Sequence, residues 1–165
     1  MNFLDTLNLN PKGFVTVVQT DVKTGKAAIV LQENNLVVSN FRSVLRDALF
    51  GDSNKLPTTI KLGDLNMVLT GNLVSVTPPA MGDLALVHEV YSAAVTSKTK
   101  VTVTDRPGIE FILDISESQV NGSGNQIISE MGLFTSSGDL IARKTFPALI
   151  KNSSVILSFR WKILF

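Results

Sequence analysis

The clearest pattern in the chain is its C-terminal stretch, Val155-Ile-Leu-Ser-Phe-Arg-Trp-Lys-Ile-Leu-Phe165. Period-two geometry places Val155, Leu157, Phe159, Trp161, Ile163 and Phe165 on one face. The other face carries Ser158, Arg160 and Lys162 between Ile156 and Leu164. One side packed on a core and one side partly wet is the signature of an antiparallel sheet. Similar alternation puts Val101 and Val103 against Thr102 and Thr104, and Ile109, Phe111, Leu113 and Ile115 against Glu110, Ile112 and Asp114. Arg106-Pro107-Gly108 supplies turn chemistry between those two strands. Near the N-terminus, Phe14 to Val18 and Ala27 to Leu31 are rich in β-branched and apolar residues, and Thr20 to Lys26, with Gly25, predicts the turn of a β-hairpin.

A different period marks residues 41–49. Phe41, Val44, Leu45, Ala48 and Leu49 recur at three-and-four spacing, predicting one buried helical face, with Ser39 or Asn40 as the cap and Gly51 as the stop. Arg42, Arg46 and Asp47 fall off this stripe. From Pro57 to Met81 a short apolar run, Thr59 to Leu62, gives way to Gly63, Gly71 and Pro78-Pro79, which predict long loops. Leu84 to Ser97 fits both periods, and the expectation is a short helical turn followed by a strand. The resulting fold class is all-β, mainly an antiparallel β-sandwich, with one amphipathic helix around Asn40–Phe50. Residues 1–38 are expected as an N-terminal hairpin appendage and residues 39–165 as the sandwich, together forming one compact unit.

Ile127 to Phe134 and Asp139 to Phe146 flank Thr135-Ser136-Ser137-Gly138. A four-residue hairpin loop there would pair Phe134 with Asp139 and set Glu130 opposite Arg143. The shared face would then hold Ile128, Glu130, Gly132 and Phe134 against Thr145, Arg143, Ile141 and Asp139. A carboxylate among apolar neighbours meets a guanidinium, so Glu130 and Arg143 are expected as a structural ion pair.

Composition narrows the function classes. Apolar residues reach 44% while charged ones are 18%, below the usual figure of about 25%, so extensive surface is expected to leave water at an intersubunit interface. Fifteen basic and fourteen acidic residues leave a formal charge of +1, without the excess positive charge that nucleic-acid binding draws on. The absence of cysteine excludes disulfides and thiolate metal sites. No basic stretch precedes an apolar run at the N-terminus, and no run of about eighteen uncharged apolar residues occurs, so neither a signal peptide nor a membrane partner is expected.

Candidate chemistry is sparse. His88 is the sole histidine, and His88-Glu89-Val90-Tyr91-Ser92 lacks the second histidine of a helical zinc site. No serine lies in a Gly-x-Ser-x-Gly elbow. Asn121-Gly122-Ser123-Gly124-Asn125 lacks the third glycine and strand-to-helix context of a dinucleotide loop. Glu110, Asp114, Glu117 and Glu130 supply carboxylates from which a glycosidase pair would have to come, but such residues on strands are more often solvated or ion-paired. Trp161 and Tyr91 are carbohydrate-stacking residue types, yet Trp161 falls on the apolar face of the last strand and reads as core. No catalytic, cofactor-binding or metal residues are expected, and no cofactor.

Ile128-Ser129-Glu130-Met131-Gly132-Leu133-Phe134, Gly138-Asp139-Leu140-Ile141-Ala142-Arg143, Phe146-Pro147-Ala148 and the aromatic terminal strand together resemble the closing segment of tail-collar fibre and related virion proteins of tailed bacteriophages. Weaker similarity reaches Asn40 to Gly51, Pro57 to Gly63, Asp83 to Thr96 and Glu110-Phe111, so that about two-thirds of the chain is involved. The resemblance implies a β-rich module that docks symmetrically on a larger assembly. It leads to the expectation of a non-enzymatic virion component, synthesised in the host bacterial cytoplasm. Its place would be a tail, collar or neck adaptor or fibre base, forming a homo-oligomer and contacting other virion proteins. A capsid decoration protein is the alternative, and a glycan-active tail enzyme ranks below both. Many fibre proteins continue into shafts or receptor-binding tips, whereas Phe165 follows the shared segment directly, so a complete receptor-binding fibre is not expected.

Overall fold

The computed structural model describes residues 11–66 and 76–165. Nine antiparallel strands follow the chain order β1 (Lys12–Asp21), β2 (Ala27–Val37), β3 (Pro57–Gly63), β4 (Glu89–Ala94), β5 (Ser97–Val103), β6 (Arg106–Ile115), β7 (Gln126–Thr135), β8 (Leu140–Lys151) and β9 (Val155–Leu164). One α-helix, α1 (Phe41–Phe50), and a 3-10 turn at Ser53–Lys55 lie between β2 and β3. The described residues therefore adopt the all-β class with a single α-helix. The strands form one curled sheet in the order β4-β3-β7-β8-β2-β1-β9-β6-β5.

Two corners produce the curl. β2 pairs with β1 from Ala27 to Asn35 but reaches β8 only through Leu36 and Val37, so one half of the sheet turns away from the other along this strand. At the opposite corner two consecutive residues reach both halves. The Val95 amide donates to the Thr58 carbonyl and the Thr96 amide to the Ile112 carbonyl. Side chains from both halves and from α1 meet in one core, including Val15, Phe41, Ile60, Phe111, Leu133, Phe146 and Trp161.

β9 follows its alternation closely. Val155, Leu157, Phe159, Trp161 and Ile163 are buried, while Arg160 is exposed. Phe165 ends half-buried, its ring stacked on Phe41 at 6.3 Å. The hairpin expected as an appendage over residues 1–38 is not peripheral: in the described part of that range, β1 pairs with β9 over ten positions and β2 links it to β8, so both sit in mid-sheet. Apolar residues such as Val15 and Val17 could only be buried there, next to Trp161 and Phe159.

Local corrections have equally local causes. The β5–β6 turn falls on Thr104 and Asp105, both with positive φ as a two-residue hairpin turn requires, and Arg106-Pro107-Gly108 belongs to β6. Residues 84–88 contain no helical turn. Along α1, Phe41 and Val44 are buried and Leu45 and Ala48 partly so, but Leu49 is 80% exposed. At about 100° per residue Leu49 lies some 80° from Phe41, on the margin of the stripe, in the last turn before Gly51 (φ 119°) ends the helix. Neither Ser39 nor Asn40 caps through its side chain; the Ser39 hydroxyl donates instead to the Met81 carbonyl at 2.9 Å.

Candidate functional site

β7 is buried on both faces, which a two-layer arrangement alone does not explain. Met131 and Leu133 face the main core, whereas Phe134 joins Val38, Leu140 and the half-buried Leu86 in a second, smaller cluster. The second face is covered by residues 80–88, an irregular strap lying over β7 and β8. Its local order is a single turn at Ala80–Asp83, so the position of the rest depends on what holds it down.

The anchor is Glu130, fully buried on β7. Its Oε2 accepts hydrogen bonds from Arg143 Nη2 at 2.6 Å, Arg143 Nε at 3.2 Å and the Val87 amide at 3.1 Å, and its Oε1 accepts one from the His88 amide at 2.9 Å. Arg143 Nη1 in turn meets Asp83 Oδ2 at 2.6 Å, and the same oxygen accepts the Ala80 amide at 2.8 Å. Two carboxylates thus hold one guanidinium while gathering three backbone amides of the strap. A buried charge is tolerable only when paired and hydrogen-bonded in this way. Gly63 makes room for it, because a Cβ at that position would collide with the His88 carbonyl and the Glu130 carboxylate.

The pairing of Glu130 with Arg143 is present, but the expected register is not. Glu130 lies opposite Thr145, and Arg143 opposite Gly132, so the ion pair runs diagonally across the ladder. Phe134 pairs with Leu140 instead of Asp139, and irregularities at Ile128/Glu130 and Leu133/Phe134 absorb the shift. Ile141 faces the main core, away from the charge cluster. Asp139 is drawn out of the ladder by its own partners: Lys55 Nζ at 2.7 Å, and the hydroxyls of Ser137 at 2.5 Å and Thr135 at 3.1 Å.

Those bonds, Lys55 foremost and Ser137 next, hold the Asp139 carboxyl below its ordinary value near 3.8. A depressed carboxylate contributes stability that is fully present above the unfolded value and disappears as pH falls through the folded one. The melting temperature of Asp139→Asn should therefore fall less steeply than that of the parent chain on acidification from about pH 5 to pH 2. Identical slopes in a pH series of thermal melts would reject that contribution.

Elsewhere, Lys151 is fully buried, and burial pushes its ammonium below the ordinary lysine value. Its Nζ donates to Asn121 Oδ1 and the Asn152 carbonyl, both at 2.8 Å, tying the 121–125 connection to the end of β8. Among the carboxylates considered for glycan chemistry, Glu130 is sealed inside the charge cluster and Glu110 lies 3.4 Å from Lys162. His88 Nδ1 is 2.8 Å from Asp64 Oδ1, in a half-exposed pair beside the strap. Trp161 is core, between Val15 and Phe111.

The strap presents Met81, Leu84 and Val87 to solvent, each more than half exposed, directly above the charge cluster. A loop with exposed apolar side chains on an immobilised backbone has the properties of a docking surface. Sequence reasoning named Glu130 and Arg143 but missed Asp83, Leu86 and the three strap amides. The available signal was the apolar run Leu84-Ala85-Leu86-Val87 behind Gly82-Asp83, which has no periodicity to show that Leu86 packs inward while Leu84 is exposed. No helix among the described residues is long and apolar enough to cross a membrane. No protein-family model, curated protein or solved structure matches this chain.

Proposed function

We propose that the chain is a non-enzymatic structural component of a tailed-phage virion, serving as a tail, collar or neck adaptor or fibre base through shape-complementary packing. The observation that carries this reading is the buried Glu130–Arg143–Asp83 cluster. It lies in the segment that resembles phage virion proteins, and its bonds fix a strap whose outward side is apolar. A surface of this kind binds by fit and by removal of apolar area from water, with a polar rim setting orientation. The low share of charged residues fits a chain that contacts other proteins over much of its surface.

The test is composition and location in purified particles. Mass spectrometry should find the chain, and cryo-electron microscopy should place a small, symmetry-related number of copies at the tail or neck. Hundreds of copies distributed over the capsid would replace this reading with capsid decoration. Absence from particles would remove both.

A further inference from the structure

The sheet-facing side of α1 does not fill the space beneath it. Phe41 and Val44 are buried against the sheet, but one turn later Ala48 brings only a methyl group, and Leu49 beyond it turns to solvent. What remains is a partly enclosed cavity of about 140 Å³ between the helix and the sheet. Its floor is Phe111, Ile141 and Ile163, all buried, from β6, β8 and β9. Val44, Leu45 and Ala48 form the helical wall. Leu56, the most exposed of the lining residues at 45%, marks the mouth.

Polarity decides what such a space can hold. Its lining surface is entirely apolar, whereas a water molecule is held in a cavity by roughly two to four hydrogen bonds to polar groups. Lys55 borders it as well, but its ammonium is bonded to the Asp139 carboxylate at 2.7 Å, so it offers a guest no free charge. Water that makes no such bonds is displaced at a gain by an apolar group. An apolar cavity of about 150 Å³ takes up benzene. We infer that the space under α1 is a binding site for one small, neutral, apolar molecule with about the bulk of a single benzene ring. Pockets for drug-sized ligands run to roughly 300 to 1,000 Å³, so size limits the guest to one ring. A charged group of similar size would give up its hydration without gaining a partner. The site is independent of the virion assignment, since it is built within one chain.

The probe is benzene, added to the full chain. The melting temperature should rise by several degrees as benzene approaches saturation, because a ligand that binds only the folded state stabilises it by mass action. Benzoate, the same ring carrying a carboxylate, should leave it unchanged. Methyl-resolved NMR should place the largest benzene-induced shifts on Val44, Leu45, Ala48, Ile141 and Ile163. Ala48→Leu, which extends the helical wall into the cavity, should abolish both responses, and Ala48→Met provides the same reading if the leucine variant does not fold. A parent chain whose melting temperature ignores benzene, an equal response to benzoate, or a full response retained by both Ala48 variants would each overturn the inference. So would shifts centred on the exposed apolar residues Met81, Leu84 and Val87, which would mark non-specific association at the strap.

Discussion

Arg143→Met is expected to destabilise the fold by about 3 to 5 kcal/mol, because it leaves the Glu130 carboxylate buried without its counter-charge. The magnitude follows from burial. Glu130 is fully buried and the Arg143 side chain nearly so, whereas an exposed pair such as Arg46–Asp47 contributes at most about 1 kcal/mol. Removing both partners should not restore stability, because Glu130 also accepts the Val87 and His88 amides. Glu130→Gln keeps an acceptor oxygen for only one of these part-buried amides, and the other, left unpaired, costs up to about 1 to 3 kcal/mol. Urea denaturation of Glu130→Gln, Arg143→Met and the double variant therefore gives a cycle with strong coupling. Coupling below about 1 kcal/mol would show that the pair behaves as a surface contact. The same variants should release the strap, so limited proteolysis ought to cut within residues 80–88 faster than in the parent chain.

The second large effect is expected at Trp161, whose side chain is fully buried between Val15 on β1 and Phe111 on β6. Trp161→Ala should cost about 3 to 5 kcal/mol, combining lost transfer energy with the cavity left behind. Partial collapse of the site would bring the value toward the lower end. Trp161→Phe should cost clearly less, because it keeps an aromatic ring and gives up an indole N–H that has no hydrogen-bond partner among the described residues. Equal losses for the two variants, read from denaturation midpoints at a constant m value, would mean that the indole contributes more than its packing.

Legibility in the sequence followed the range of the interaction. The buried face of β9 was readable because alternation needs only neighbours, and so were α1 and its stop at Gly51. Leu49 was misassigned because periodicity marks the centre of a stripe well and its margin poorly. The β5–β6 turn was placed too late because Pro107 and Gly108 signal a turn as strongly as Thr104 and Asp105 do, and only the Val103–Arg106 pairing decides between them. The Glu130–Arg143 ion pair survived a wrong register because a long guanidinium side chain reaches a diagonal neighbour nearly as easily as a direct one.

What the sequence determined by itself was therefore the periodic elements, the all-β class and the chemical need of Glu130 for a cation. Tertiary structure alone decided that β1 and β2 lie in mid-sheet, that the ion pair is diagonal, and that residues 80–88 form a strap over β7. The physical reason is separation along the chain. Glu130 binds the amides of Val87 and His88 across more than forty residues, and those donors belong to the backbone, which carries the same group at almost every position. No side-chain pattern can mark which amides will be used until the sheet has brought them together.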